Sequence, residues 1–385
     1  MTKSRLLLTV LLALALGAGI FACGGDDDIS YPFGVTPVKV ALFSNTTYVD
    51  YQMGTGNTSA EASLLEGDLL LMGHEPTAFN GVSAAAINTA VSGKSYLLIP
   101  KQKIGNLINE LLPPARAAIA TFVNSGGTLV VFADNNNYDA ELINGIFGYS
   151  IINTDGGPIG YVDAVYNATE AAGTVFEDPD YNYPGLVNSY ALLTDTGWLS
   201  SSLPVGVSNA IFDYDMGTGF ATNVVQIKSG SGRIIYLGLD KVLGYNWSGL
   251  LNRLLGGTPD SYKDSYVSTG VPDLNVDVYS PDGTTLLYAR TWSAMFPIGQ
   301  GISAYIKVTD AGGTVPRTYT IHSGYACKAT PVSICFVEDT VTASDPDKYE
   351  PNDTSSTATF IGNDWGMNHY MSTSDTDWFR YQNTW

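Results

Sequence analysis

The sequence predicts an α/β domain with a mostly parallel sheet, followed by an all-β region. Two observations carry this. From Val38 to Leu255, short apolar runs alternate with segments of helical spacing, the pattern of a sheet covered on both faces. After Gly257 the helical signals stop, and apolar residues alternate with polar ones at period two.

Val38–Phe43 is the first apolar strand, and residues 60–72 carry Ala60, Leu64, Leu65 and Leu69 at helical spacing. Thr77-Ala78-Phe79 is a short strand. Ser83 is placed to cap a small helix over 84–91. Tyr96–Pro100 is a second buried strand. Pro113 and Pro114 open a helix that Gly126-Gly127 ends. Thr128–Ala133 is a strand and 139–147 a helix. Residues 153–204, rich in Gly, Tyr, Asn and Asp, read as a partly β insertion. Strands resume at 210–212, 223–227 and 233–237, and a helix over 247–255 closes the domain. Beyond it, Leu274, Val276 and Val278 alternate, Pro281-Asp282-Gly283 turns, and 285–291 pairs back. Ile302–Val308 and Tyr319–Ile321 continue the alternation, as expected of a β-sandwich.

The chain's start reads as an export signal. Lys3 and Arg5 precede an uncharged apolar run, Leu6–Ile20, too short for a comfortable membrane span of about 20 residues. Ile20-Phe21-Ala22-Cys23 resembles a bacterial lipobox, which implies lipidation of Cys23 and a lipid anchor in a membrane. Gly24, not Asp, follows the Cys, which by the enterobacterial sorting rule favours the outer membrane or cell surface. Residues 24–36 form a flexible linker.

The 385 residues carry a net charge of −19, which the loss of Lys3 and Arg5 takes to −21. A charge of this sign argues against nucleic acid or anionic lipid as partners, since both need a basic surface. In an oxidising compartment Cys327 and Cys335 are expected to pair, closing a short loop worth about 2–3 kcal/mol; two reduced buried thiols are the alternative.

The strand Tyr96–Pro100, the helix end Phe122–Gly127, Leu129–Ala133 and Gly232–Asp240 together resemble the class I glutamine amidotransferase-like fold, a flavodoxin-like α/β architecture, over 37–257. That chemistry needs a thiolate on a sharp turn and a His beside it. The turn after Ala133 carries Asp134-Asn135-Asn136-Asn137, so the resemblance implies the fold without the reaction. His74 is expected to be a loop or helix-end His that caps carbonyls, and His322 and His369 are expected to be structural. Asp195-Thr196-Gly197 looks like half an aspartic-protease site, but no second such triplet exists and a turn is the better reading.

Residues 258–342 are expected as the β-sandwich and 345–385 as a further module. In the latter, Tyr349–Thr354 followed by Asp375–Phe379 resembles the bacterial pre-peptidase C-terminal domain, a small β jelly roll of which about half is present. In related collagen-binding modules this motif binds calcium, which implies Glu350, Asn352, Asp353 and Asp377 as ligands, with Asp375 a helper. Looser oxygen clusters, Asp134 with Asp139, Glu177-Asp178-Pro179-Asp180, and Asp213 with Asp215, are expected to be solvated turns and caps. With its late strands missing, the module would leave Trp365, Trp378, Phe379, Tyr381 and Trp385 poorly buried and be the least stable part of the chain.

Functionally, these features point to a non-catalytic surface lipoprotein that binds a protein or polysaccharide ligand. The competing expectation is a secreted hydrolase, of peptides or glycans, with an accessory β module.

Overall fold

In the computed structural model, the described residues are 36–52, 60–133, 136–154, 164–177, 197–215, 219–238, 247–257, 262–269, 273–291, 293–310, 317–325, 353–361, 365–371 and 376–382. The α/β part begins with β1 (Lys39–Phe43), α1 (Glu61–Leu71), β2 (Glu75–Phe79), α2 (Ala84–Val91) and β3 (Tyr96–Ile99). It continues with α3 (Pro113–Asn124), β4 (Thr128–Phe132), α4 (Tyr138–Phe147), β5 (Val165–Tyr166), α5 (Ala168–Ala171) and β6 (Trp198–Leu199). The last elements are β7 (Ser208–Asp215), β8 (Phe220–Ser229), β9 (Gly232–Leu237) and α6 (Trp247–Leu254).

These strands form one nine-stranded sheet in the order β2-β1-β3-β4-β9-β8-β7-β5, with β6 on β8. The pairs from β2 through β9 are parallel. Beyond β9 every pair is antiparallel, so the sheet is mixed where a mostly parallel one was expected. The reason is local: Gly230-Ser231 joins β8 to β9, a link too short for the crossover that parallel strands need.

Two apolar cores cover the sheet. Leu65 and Leu69 of α1 and Leu250 and Leu254 of α6 belong to one. Ile87 of α2, Ile119 of α3 and Leu142 of α4 belong to the other. Ser83 caps α2 by accepting the Ala86 N–H at 3.2 Å, as its position promised. Pro113 and Pro114 start α3, where a missing N–H costs nothing.

The β-rich region contains β10 (Tyr262–Ser268), β11 (Leu274–Tyr279), β12 (Leu286–Thr291), β13 (Ser293–Gly299), β14 (Ser303–Asp310), β15 (Arg317–Tyr325), β16 (Thr359–Ile361), β17 (Trp365–Met371) and β18 (Thr376–Gln382). They form a four-stranded sheet, β13-β10-β15-β17, and a five-stranded one, β12-β11-β14-β18-β16. The sheets meet where Tyr381 of β18 packs edge-on against Phe296 of β13 at 6.2 Å and shares a 3.1 Å hydrogen bond with Ser265 of β10.

This pairing joins the two modules that the sequence separates at 342–345. β17 lies on β15 and β18 lies between β14 and β16. The expected shortage of core is therefore corrected for two aromatics: Phe379 and Tyr381 are fully buried, because the tail's strands complete the preceding sheets. Trp385 lies outside the described residues, as do Cys327 and Cys335 with their expected disulfide.

The two regions meet across α1. Nine of its residues are buried. Gly67 lies so near β12 that a Cβ there would sit 3.3 Å from that of Leu287, and the Tyr288 hydroxyl of β12 donates to buried Asp68.

Candidate functional site

In an open α/β sheet, ligands bind outside the carboxyl ends of the strands, where the strand order reverses. Here that point lies between β1 and β3. The chain fills it itself. The Tyr48 carbonyl, after β1, accepts the N–H groups of Ile104 (3.0 Å) and Gly105 (3.3 Å), after β3. The approach needs glycine: a Cβ on Gly105 would stand 2.8 Å from the Thr47 carbonyl oxygen. Lys103 pairs with Asp50 at 3.2 Å, and Lys101 with Glu61 at 3.4 Å.

Glu66 lies on α1, and its partner Tyr51 follows Asp50 in the loop after β1. Glu66 is buried and accepts the Tyr51 hydroxyl at 2.7 Å. Burial raises its carboxyl above the ordinary range, against the lowering effect of the Tyr51 bond. A carboxyl raised on folding contributes stability that is fully present below its unfolded pKa and lost as pH rises through the folded one. Glu66→Gln keeps an acceptor for Tyr51 and cannot ionise. The variant's Tm is expected to gain on the native protein's as pH rises from 4 to 8; parallel Tm curves would refute this account.

The turn from β4 into α4 is the place an acyl nucleophile would occupy. Asp134 and Asn135 lie outside the described residues. Asn137 is left-handed, with φ 65°, alone among the described non-glycine residues, a conformation Asn tolerates better than most. Its buried Oδ1 has no partner among the described residues. Asp139 is fully buried and accepts the Ala140 N–H at 2.6 Å, favourable for a carboxylate in a helix's first turn. Buried Gln102 bridges the neighbouring loops, accepting Leu107 N–H at 2.8 Å and donating to the Tyr138 carbonyl at 3.2 Å.

Beside that turn, β8 changes partner. Val224–Ser229 pair with β9, whereas Ala221 and Thr222 pair with β6. Register against β7 shifts here as well, leaving Asn223 as a bulge. Asn223 is fully buried, and neither side-chain polar atom has a partner among the described residues. Trp198 Nε1 is in the same state. Neither residue stood out in the sequence, although an Asn inside the run Ala221–Ile227 was a visible signal.

His74 is 4% exposed, and burial pulls its pKa down to about 4. Its Nδ1 accepts the Val38 N–H at 3.4 Å; it stands in the short loop after α1 and accepts a bond at β1's entry instead of capping carbonyls. His322 and His369 fall on β15 and β17. Asp195 and Thr196 lie outside the described residues, and the Gly197 carbonyl accepts from Thr154 N–H (2.9 Å) and Oγ1 (3.0 Å).

Where described, the oxygen clusters are not all the solvated turns expected: Asp213 and Asp215 lie on strand β7, and Asp139 is fully buried at the start of α4. Glu177 accepts Gly173 N–H at 2.6 Å, and Asp213 accepts Asn167 Nδ2 at 3.4 Å. Burial raises the Asp213 carboxyl. Of the calcium set, Glu350 and Asn352 lie outside the described residues, Asp353 is exposed and Asp377 is fully buried. Cys23 is also outside them. Among the described residues no three His, Cys, Asp or Glu side chains gather to hold a metal.

The sequence matches no known family profile and no curated protein. Solved structures similar to it include one described as a GMP synthase subunit from Thermoplasma acidophilum, at 11% identity and a TM-score of 0.36. That match covers 58% of this chain and 94% of that one. Another is a ThuA-like protein from Bacteroides uniformis, at 12% identity and a TM-score of 0.38, covering 60% and 98%. A third is a β-galactosidase from Bacillus circulans, at 12% and 0.32; the match covers 69% of this chain and 33% of the enzyme. With TM-scores below 0.5, these likenesses carry no argument about ligand or reaction.

Proposed function

We propose that this chain is a non-catalytic, extracytoplasmic surface lipoprotein, tethered through Cys23, that presents its α/β and β-rich parts for binding, adhesion or assembly. The observation that supports it most is the turn after β4. Acyl transfer requires an activated nucleophile and a base within reach. That turn offers Asp134 and three asparagines, with Asn137 at its left-handed position, and the His of the α/β part is buried against Val38. The amidotransferase-like assignment of 37–257, the pre-peptidase-like assignment of the tail, a Cys327–Cys335 disulfide and an outer-membrane or cell-surface location belong to the same proposal. So does a protein or polysaccharide ligand.

Cys23→Ala is expected to release the protein from membranes or block its processing. A mature variant that still fractionates with membranes would remove the anchor from the proposal. Incubation with peptide and glycan libraries is expected to give no turnover. Turnover abolished by Asp134→Ala or Asp195→Ala would replace the proposal with a secreted hydrolase. Calcium at Glu350, Asn352, Asp353 and Asp377 would tie distant segments of the tail together, so chelator is expected to lower the full chain's Tm. An unchanged Tm removes calcium.

A further inference from the structure

The outer face of the five-stranded sheet carries aromatic rings that the core does not use. Along β11, β14 and β18, Val276, Val278, Ala304, Ile306, Val308, Phe379 and Tyr381 are buried, and the residues alternating with them point the other way. Register sets the outward residues in two rows. Asp277, Lys307 and Trp378 make one; Tyr279, Tyr305, Arg380 and Phe360 make the other. Phe360 is 46% exposed. The Tyr279 and Trp378 rings lie 4.7 Å apart at 48°, and Lys307 Nζ stands 5.7 Å from the Trp378 ring centroid.

The chemistry of this face is specific. Three partly buried rings, Tyr279, Tyr305 and Trp378, and exposed Phe360 lie together among polar groups, and clustered exposed apolar surface of this kind marks interaction sites. The second row spans three strand spacings, about 14 Å, the reach of a short oligosaccharide and more than a single sugar covers. Flat rings pack against the C–H faces of sugars, with dispersion and ring quadrupole both favourable. The charge has a sign too. The chain holds 37 acidic and 18 basic residues, yet this face carries two cations, Lys307 and Arg380, against Asp277 on the rows and Asp282 in the turn whose Gly283 packs beside Tyr305. Arg380 is exposed while its Nε and Nη2 rest 3.3 Å from Ser303 Oγ, which holds the guanidinium in place for a carboxylate.

We infer that the outer face of the five-stranded sheet, centred on Tyr279, Trp378, Lys307 and Arg380, binds an acidic polysaccharide, with sugar rings on the aromatics and uronate carboxylates on the two cations. This rests on the binding-protein reading above and supplies its ligand class.

The test titrates the full chain with polygalacturonate oligosaccharides. Neutral gluco-oligosaccharides of equal length and a polyglutamate peptide serve as comparators, with tryptophan fluorescence and calorimetry as readouts. Binding of the polyuronate, with a fluorescence change, is expected. Tyr279→Ala and Trp378→Ala should each weaken it at least tenfold. Lys307→Ala should weaken it several-fold and erase the preference over the neutral chain. Circular dichroism screens out misfolded variants, and Tyr279→Ala and Lys307→Ala stand as the test if Trp378→Ala does not fold. No binding, binding untouched by Tyr279→Ala and Lys307→Ala in folded protein, or preference for the peptide overturns the inference and leaves the lipoprotein reading standing. Cleavage of the oligosaccharide overturns the non-catalytic reading and leaves the binding face.

Discussion

Trp198→Ala is expected to cost about 3–5 kcal/mol of unfolding free energy, the range for deleting a fully buried large aromatic. Trp198 has no exposed surface, and its ring stacks on Tyr236 of β9 with centroids 3.9 Å apart at 12°. It also sits on a strand of two residues, β6, whose register to β8 rests on Trp198 and Leu199. Removing the ring therefore opens a cavity and loosens the return of the 153–204 insertion to the sheet. Trp198→Phe separates the causes. It keeps an aromatic against Tyr236 and drops an N–H that has no partner among the described residues, so it is expected to cost less than half as much. Denaturant titration reads both, and a Trp198→Ala loss below about 1 kcal/mol would contradict the packing argument.

Gly232→Ala is expected to be comparably severe, about 3 kcal/mol or more, or to abolish soluble expression. A Cβ on Gly232 would lie 2.1 Å from the Val123 carbonyl oxygen and 2.2 Å from that of Gly127. Both are backbone atoms, so no side chain can rotate away. β9 would have to retreat from the end of α3, stretching Ser231 N–H to Asn124 O (3.0 Å) and Arg233 N–H to Gly127 O (3.2 Å). A variant melting within about 2 °C of the native protein would show that the segment yields more easily than this geometry allows.

The elements most legible in the sequence were those whose neighbours do not alter their pattern. β3 and β4 are central parallel strands, apolar but for Thr128, and α2 and α3 announce themselves through Ser83 and Pro113-Pro114. The antiparallel half was less legible, because β8 is buried almost throughout yet mixes polar and apolar residues without alternation, and such a run does not disclose strand direction. β10 and β13 escaped notice since Tyr262–Ser268 and Ser293–Gly299 alternate weakly between polar and apolar. At the candidate site, the lack of a nucleophile after Ala133 could be read directly. The self-pairing of Lys101 and Lys103 could not, because their partners Glu61 and Asp50 come from 40 or more residues earlier in the chain. The outer aromatic rows required register across β11, β14, β18 and β16, which joins residues from both sides of the boundary that the sequence suggests.

The burial of α1 has a bearing on how this chain can be divided. A cut near residue 257 would follow the change in sequence pattern, yet it would strip β12 and β13 from the helix. Asp68 would lose the Tyr288 hydroxyl, and the flank of Gly67 that meets Leu287 would face water. An excised α/β fragment would thus present a sticky, acid-bearing helix face, and an excised β fragment would bare the matching surface of β12. The two regions form a single compact unit, Phe33–Trp385, so a cut between them is expected to leave each half less stable than the whole.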